Sequence, residues 1–207
     1  MKIIFFKLVA IIILCMMTCS QINAQNRNEL LKTRAKEKVK QLYDYVDFVA
    51  SKKKSLKMRD YYAGKTLNLF IGRGEAYTDE NGKSNEGVMM QVTSVNNPTP
   101  RTKTVKRYLY DLARLNYSNV KIEATDVADM KVSNLKPIGD GVYVCTCYIV
   151  QVFSVLRDGV WRTIDTTHKY IQCYVFVEKT EDGEEYVVRL GNVYATETLP
   201  GNALQTR

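Results

Sequence analysis

The segment VYVCTCYIVQVFSVLRDGVWRTIDTTHKYIQCYVFVE, residues 142–178, decides the fold. Two long apolar runs, Val142–Leu156 and Trp161–Glu178, flank the dipeptide Asp158-Gly159. Such a dipeptide between apolar runs is a strong signal for a two-residue hairpin turn. Strands of fifteen or more residues exceed the usual length. We therefore predict a long and strongly curved antiparallel sheet.

The hairpin turn also predicts which residues share a face. A two-residue turn pairs Arg157 with Val160, and the register follows along both strands. Without a bulge, Ile149 then faces His168, and one face collects aromatic side chains with a few polar ones, as pocket linings do. On that face we predict a ligand site formed by Gln151, Thr166, His168, Tyr170 and Gln172. A β-bulge would exchange the faces beyond it.

The same register suggests where catalysis would lie if the protein were an enzyme. The turn Asp182-Gly183 returns the chain into a strand over Glu185–Thr196, and its register sets Glu197 across from His168, the single histidine of the chain. Such a pair could serve as general base and orienting group. A cross-strand ion pair near the sheet end is the alternative interpretation.

Motifs of other chemistries are missing from the sequence. It contains no nucleophile elbow, zinc-protease motif or phosphate loop. A single histidine leaves few ligands for a transition metal, and the acidic stretch 79–82 lacks the terminal glutamate of a calcium loop. We expect no metal, no cofactor and no strong catalytic activity.

Helices are predicted before the long strands. Residues 28–52 carry apolar side chains at steps of three and four, which are Leu31, Ala35, Val39, Leu42, Val46 and Val49. Ser55 is suited to cap a second helix, whose apolar positions are Leu56, Met58 and Tyr62. A third helix is predicted over Thr104–Leu115, with Val105, Tyr108, Leu109, Leu112 and Leu115 on one face.

Shorter strands are predicted between and after these helices. Val88–Val95 has strand composition, and Asn96–Pro100 is expected to end it. Val120–Val132 alternates loosely and is expected to be extended, and the stretch Lys136–Gly141 is predicted to turn the chain.

Residues 1–24 have the pattern of a secretory signal peptide: a basic start, an apolar stretch and a small residue, Ala24, at the cleavage position. Cleavage would leave Gln25 first, and residues 25–207 would form one domain. An alternative is lipidation at Cys19, although the preceding residues match such a signal poorly. The apolar run is short for a membrane anchor. We expect an exported protein, periplasmic or secreted.

Charge and cysteine content limit the partners and crosslinks. The chain carries a net charge of +8, and removing residues 1–24 with their two lysines leaves +6. Many basic residues fall in the first helix, as on a solvated helix face, so we expect no nucleic acid partner. Cys145, Cys147 and Cys173 lie beyond the signal peptide. The bulge-free register places Cys173 on the face away from the other two, so three free thiols are predicted.

The order helix, helix, strand, helix and then four long antiparallel strands resembles the nuclear-transport-factor-2-like (cystatin-like α+β) fold. The resemblance covers Asn28–Leu199 and rests on element order and strand length. It implies helices held by a curved sheet with a conical pocket. Catalytic members use an Asp/His or Asp/Tyr set there, which no motif here matches. The junction Asn23-Ala24-Gln25 is similar to that of small exported proteins of Bacteroidetes-type bacteria.

Two functional hypotheses follow. The first is an exported, non-catalytic binding or interaction domain with a curved-sheet pocket, whose partner is a small hydrophobic or polar ligand, another protein or a second copy joined through the sheet. The second is a small pocket enzyme of isomerase or hydrolase type that uses His168 with Glu197.

Overall fold

The computed structural model describes residues 2–79, 81–117, 119–181 and 183–201, with side chains from residue 25 onward. Its helices are α1 (Lys2–Ala50), α2 (Leu56–Leu67) and α3 (Val105–Ala113), with a 3₁₀ turn at Ile71–Gly74. Its strands are β1 (Tyr77–Thr78), β2 (Ser84–Asn85), β3 (Met89–Ser94), β4 (Asn97–Thr104), β5 (Val120–Ala124), β6 (Lys131–Val132), β7 (Lys136–Gly139), β8 (Val142–Arg157), β9 (Val160–Thr180) and β10 (Gly183–Pro200).

The chain has the α+β architecture that the sequence predicts. In the described ranges, eight strands form one mixed, open sheet in the order β4–β3–β10–β9–β8–β5, and β6 and β7 also pair with β8. β3 runs parallel to β10, whereas the other pairs are antiparallel. β1 and β2 form a separate small hairpin. The three helices of the described chain contact one another, and α1 and α3 also contact the sheet.

Helix α1 buries the stripe that its sequence periodicity predicts. Each of the six predicted apolar positions is at most 1% exposed, and all belong to the core: Leu31, Ala35, Val39, Leu42, Val46 and Val49. The helix begins at Lys2 rather than near residue 28. The predicted signal peptide, residues 1–24, lies outside the part of the chain whose side chains are described. Within the described residues, no helix is long and apolar enough to cross a membrane.

Helices α2 and α3 begin at hydroxyl caps. Ser55 accepts a hydrogen bond from Met58 N–H, as predicted, and Thr104 caps α3 in the same way. The predicted apolar face of α2 is wrong at Leu56 and Met58, which are exposed, but Tyr62 packs against the core. Arg59 on α2 is buried as well, and its guanidinium donates to a backbone carbonyl at the end of α3. The predicted face of α3 is confirmed at Val105, Tyr108, Leu109 and Leu112, all of which are buried.

Two strands occur where turns were predicted. β4 contains Pro98 and Pro100, and β7 contains Pro137. β4 is the last strand at one edge of the sheet, and in the described chain β7 pairs only with β8. At an edge a proline does not interrupt the ladder, because its missing N–H would face outward. The prolines therefore mark edge strands here rather than breaks.

The long hairpin contains a bulge that changes its faces. Arg157 pairs with Val160, as predicted, but the register shifts between Phe153 and Ser154. Ile164 is the extra residue on β9, because Ser154 pairs with Thr163 and Phe153 pairs with Asp165. A one-residue shift moves every later side chain of one strand to the other face relative to its partner. The predicted pairing of Ile149 with His168 is therefore wrong.

Candidate functional site

The bulge divides the predicted ligand-site residues between the two faces of the sheet. Gln151 pairs with Thr167 and shares the helix-covered inner face with Lys169, which pairs with Ile149. The alternation of β9 places the other four predicted residues on the opposite, outer face: Thr166, His168, Tyr170 and Gln172. The structure therefore does not bring the predicted set together.

On the outer face, His168 pairs with Glu197 across β9 and β10, as the sequence predicts. Within the described chain, no ion pair or hydrogen bond joins their side chains. The hydrogen bond at this position runs from the Thr196 hydroxyl to the His168 carbonyl, 3.2 Å away. The pair lies on the surface opposite the cavity described below.

Three tyrosines form a ladder across the outer face: Tyr148, Tyr170 and Tyr194. The rings of Tyr170 and Tyr194 stack with centroids 4.7 Å apart, and the Tyr148 ring lies 6.4 Å from that of Tyr170. Beside this tyrosine ladder, the Gln172 side-chain oxygen accepts from Asn192 N–H at 3.3 Å. Tyr170 and Gln172 thus take part in contacts between strands.

The inner face holds a cavity of about 280 Å³ between α3, β3 and the strands β8 and β9. This volume is near the lower limit of small-molecule sites, about 300 Å³. Its walls are mostly apolar and aromatic, formed by Val92, Tyr108, Leu112, Leu115, Tyr117, Ile122, Phe153 and Ile164. Its principal polar side chains are Thr93, Lys103, Asp111, Gln151, Asp165, Thr167 and Lys169.

Lys169 is the unusual residue of the cavity wall. It is only 4% exposed. No carboxylate lies within 4.0 Å of its Nζ, and no hydrogen bond to it is found, among the residues that the structure describes. Burial lowers the pKa of Lys169 to about 8, because a charged amine loses its hydration in an apolar site. Buried lysines are rare unless they are paired.

The acidic groups of the cavity have other partners. Asp165 Oδ1 accepts from Val95 N–H at 2.9 Å and so ties the β3–β4 turn to β9. Asp111 accepts from Lys103 Nζ at 2.7 Å. These contacts do not neutralise a charge on Lys169.

The remaining polar groups are uncharged donors and acceptors. Burial raises the pKa of Tyr108 on α3, so its phenol keeps its proton. Tyr43 on α1 donates to Gln151 Oε1 at 3.3 Å, and burial together with the neighbouring Tyr108 raises the pKa of Tyr43 well above its usual value. Thr167 shares a hydrogen bond with Thr198 on β10. The cavity thus combines the amine of Lys169 with the Lys103–Asp111 ion pair, Asp165, neutral hydroxyls and apolar walls.

Sequence reasoning missed Lys169 because the register without a bulge assigned it to the face away from the predicted site. The local sequence gives no signal of burial, because Lys169 follows the polar residues Asp165–His168.

The three cysteines lie together on the inner face. Cys145 pairs with Cys173, and the sulfurs of Cys173 and Cys147 are 3.6 Å apart. The prediction of three free thiols is confirmed, but the predicted separation onto two faces is wrong. In the described residues, no group of His, Cys, Asp and Glu could hold a metal ion.

No protein-family model matches the chain. No curated protein and no solved structure shows a significant match either.

Proposed function

We propose that this protein is a non-catalytic binding domain whose cavity takes a small, mostly apolar molecule with one acidic group. In this proposal Lys169 pairs with the acid, and the aromatic and aliphatic walls hold the rest of the molecule. Tyr108, Gln151 and Thr167 supply hydrogen bonds that orient it.

The observation that carries the proposal is the largely buried Lys169, which lines the cavity and has no ion pair among the residues that the structure describes. Lowering a lysine pKa from 10.5 to about 8 corresponds to about 3 kcal/mol of stability lost at neutral pH. Among the residues that the structure describes, no ion pair offsets that cost. A ligand carboxylate would supply the missing charge in a site of low dielectric, where such a contact is strong.

The size of the cavity restricts the ligand. At about 280 Å³ it has room for a single ring or a short chain rather than for a lipid or a nucleotide. Benzoate and hexanoate are suitable probes, and benzyl alcohol and hexanol are their uncharged counterparts.

Isothermal titration calorimetry with these four compounds tests the proposal. We expect benzoate or hexanoate to bind the purified protein at least about tenfold more tightly than the matching alcohol, because hydrogen bonds to charged groups contribute about 1.5–3 kcal/mol. Lys169→Met should remove the preference for the acid. Lys57→Met, an exposed position on α2, is the matched control and should leave it unchanged. Equal binding of acids and alcohols by the unmodified protein would contradict the proposal.

We also propose a fold family and a cellular location for this protein. The order of elements supports membership of the nuclear-transport-factor-2-like group, and the pattern of residues 1–24 supports export to the periplasm or beyond. N-terminal sequencing of exported material should give Gln25 as the first residue. A lipid on Cys19 would contradict simple secretion.

A second copy of the chain is the protein partner that the outer face suggests. Tyr148 is 49% exposed at the end of the tyrosine ladder, and tyrosines are enriched in protein interfaces. Sedimentation analysis of the unmodified protein and of Tyr148→Lys tests this part. We expect the unmodified protein to be a dimer and the lysine variant to be a monomer. If both proteins are monomers, the proposed dimer is excluded.

The alternative of an enzyme using His168 and Glu197 has less support. The two residues face each other, but they lie on the open outer face rather than in a cavity, and no contact between their side chains orients the imidazole. If catalysis exists, Lys169 is better placed for it.

A further inference from the structure

We propose that Lys169 captures small aldehydes and ketones as a covalent imine inside the cavity. The inference rests on the cavity being open to ligands, as the proposed function does, but it does not require the ligand to be an acid. It assigns to the site a second class of ligand, the carbonyl compounds.

The geometry gives the amine the features of a reactive lysine. It lines an apolar cavity large enough for a single ring, and no described carboxylate holds it in the charged form. A lysine that is desolvated in a hydrophobic pocket is a nucleophile because it keeps its lone pair at moderate pH.

The other charged groups that line the cavity, Lys103, Asp111 and Asp165, have partners other than Lys169. Asp111 is paired with Lys103, and Asp165 accepts from Val95 N–H. Tyr108 lines the cavity with its proton retained, because burial raises its pKa. Burial alone lowers the pKa of Lys169 to about 8. At pH 7 about a tenth of it is therefore unprotonated, about 300-fold more than for an exposed lysine.

The reaction is balanced without an oxidant or reductant. The lone pair of Nζ forms a bond to the carbonyl carbon while the π pair moves to the oxygen, and a proton passes from nitrogen to oxygen to give the carbinolamine. The carbon–oxygen bond then breaks, the oxygen leaves as water with a second proton from nitrogen, and the C=N bond forms. The sum is amine plus carbonyl compound giving imine plus water.

Reductive trapping tests the inference. The purified full chain is treated with benzaldehyde and cyanoborohydride at pH 7, and benzyl groups are located by peptide mapping. The reagent transfers hydride to the imine carbon, so each imine becomes a stable benzylamine. We expect Lys169 to be labelled at least about tenfold faster than exposed Lys57, because its free-amine fraction is larger and restricted access offsets only part of that advantage.

The pH dependence is a second readout. The ratio of labelling at Lys169 to labelling at Lys57 should fall as the pH rises from about 8 to 10, because only the free-amine fraction of Lys57 still increases substantially in that range. Excess benzoate should protect Lys169 and leave Lys57 unaffected. Labelling spread evenly over the exposed lysines, with Lys169 unmodified, would overturn the inference even without any variant.

Two measurements on the unmodified protein, benzoate binding and labelling at Lys169, separate this inference from the proposed function. Lys169→Arg removes the primary amine, so we expect no adduct at residue 169. If the unmodified protein binds benzoate but is not labelled at Lys169, the imine is excluded and the binding function stands. If it is labelled but does not bind benzoate, the acid ligand is excluded and the imine stands. If neither occurs, both fail.

Discussion

Lys169 lies directly opposite Ile149 on neighbouring antiparallel strands, so its amine reaches the cavity beside an apolar side chain. This placement predicts how stability depends on pH. The folded pKa is about 8 and the unfolded value is 10.5. Between these values the unfolded chain binds more protons, and the free energy of unfolding therefore rises with pH.

Between pH 7 and pH 9.5, the free energy of unfolding should rise by about 2 kcal/mol because of Lys169 alone. Urea unfolding at several pH values measures it, and the difference between the unmodified protein and Lys169→Met isolates it from other groups. The methionine variant should be more stable at pH 7 by about 2–3 kcal/mol. A difference between the two proteins that does not change with pH would show that Lys169 is not buried as described.

The sequence predicts the helices and the hairpin turn well, because both signals are local. The stripe of α1 and the pairing of Arg157 with Val160 follow from side-chain spacing and turn chemistry. The bulge at Ile164 does not follow, because an inserted residue is stabilised by packing of both sheet faces rather than by a local pattern. This single residue separates a predicted site around His168 from a cavity around Lys169.

Asp165 is predicted to hold the β3–β4 turn against β9. Its Oδ1 accepts from Val95 N–H at 2.9 Å. Asp165→Ala leaves this donor unpaired in a partly buried place and should lower the free energy of unfolding by about 1–3 kcal/mol. Asp165→Asn keeps an acceptor oxygen and should recover most of the loss. Equal losses in the two variants, measured by urea unfolding, would mean that the hydrogen bond is not the cause.

The three cysteines are predicted to stay reduced in the folded protein. The Val177 N–H donates to the Gly141 carbonyl, and by alternation Cys145 and Cys173 form a hydrogen-bonded antiparallel pair. The Cβ atoms of such a pair are about 5.5 Å apart, whereas a disulfide needs about 3.8 Å. Alkylation with and without denaturant, followed by peptide mapping, should find Cys145, Cys147 and Cys173 unmodified when folded and fully modified when unfolded. A crosslinked Cys145–Cys173 peptide would contradict this.

Gly141 and Gly159 allow the stability cost of an added Cβ to be compared at two turns. Both have positive φ, +67° and +75°. A Cβ at Gly141 would lie 2.8 Å from the Val177 carbonyl oxygen, whereas a Cβ at Gly159 would meet open space. Gly159→Ala should cost about 1 kcal/mol from the left-handed conformation alone. Gly141→Ala should cost more, about 2–3 kcal/mol, because the backbone must also shift. Thermal unfolding of the two variants measures the difference, and equal costs would mean that the turn absorbs the clash.

Replacing His168 tests whether the ligand binds in the cavity or on the outer face. Its side chain lies opposite Glu197 on the face away from Lys169. His168→Gln removes the imidazole but keeps a hydrogen-bonding side chain of similar size. We expect this variant to bind benzoate within about twofold of the unmodified protein, whereas Lys169→Met should lose at least about tenfold in affinity. Calorimetry of both variants under one set of conditions gives the comparison. If the histidine variant loses affinity while its thermal unfolding is unchanged, the outer face takes part in binding and the cavity is not the site. If Lys169→Met alone loses affinity, the cavity is the site, because the two neighbouring residues differ chiefly in the face of the sheet from which they project.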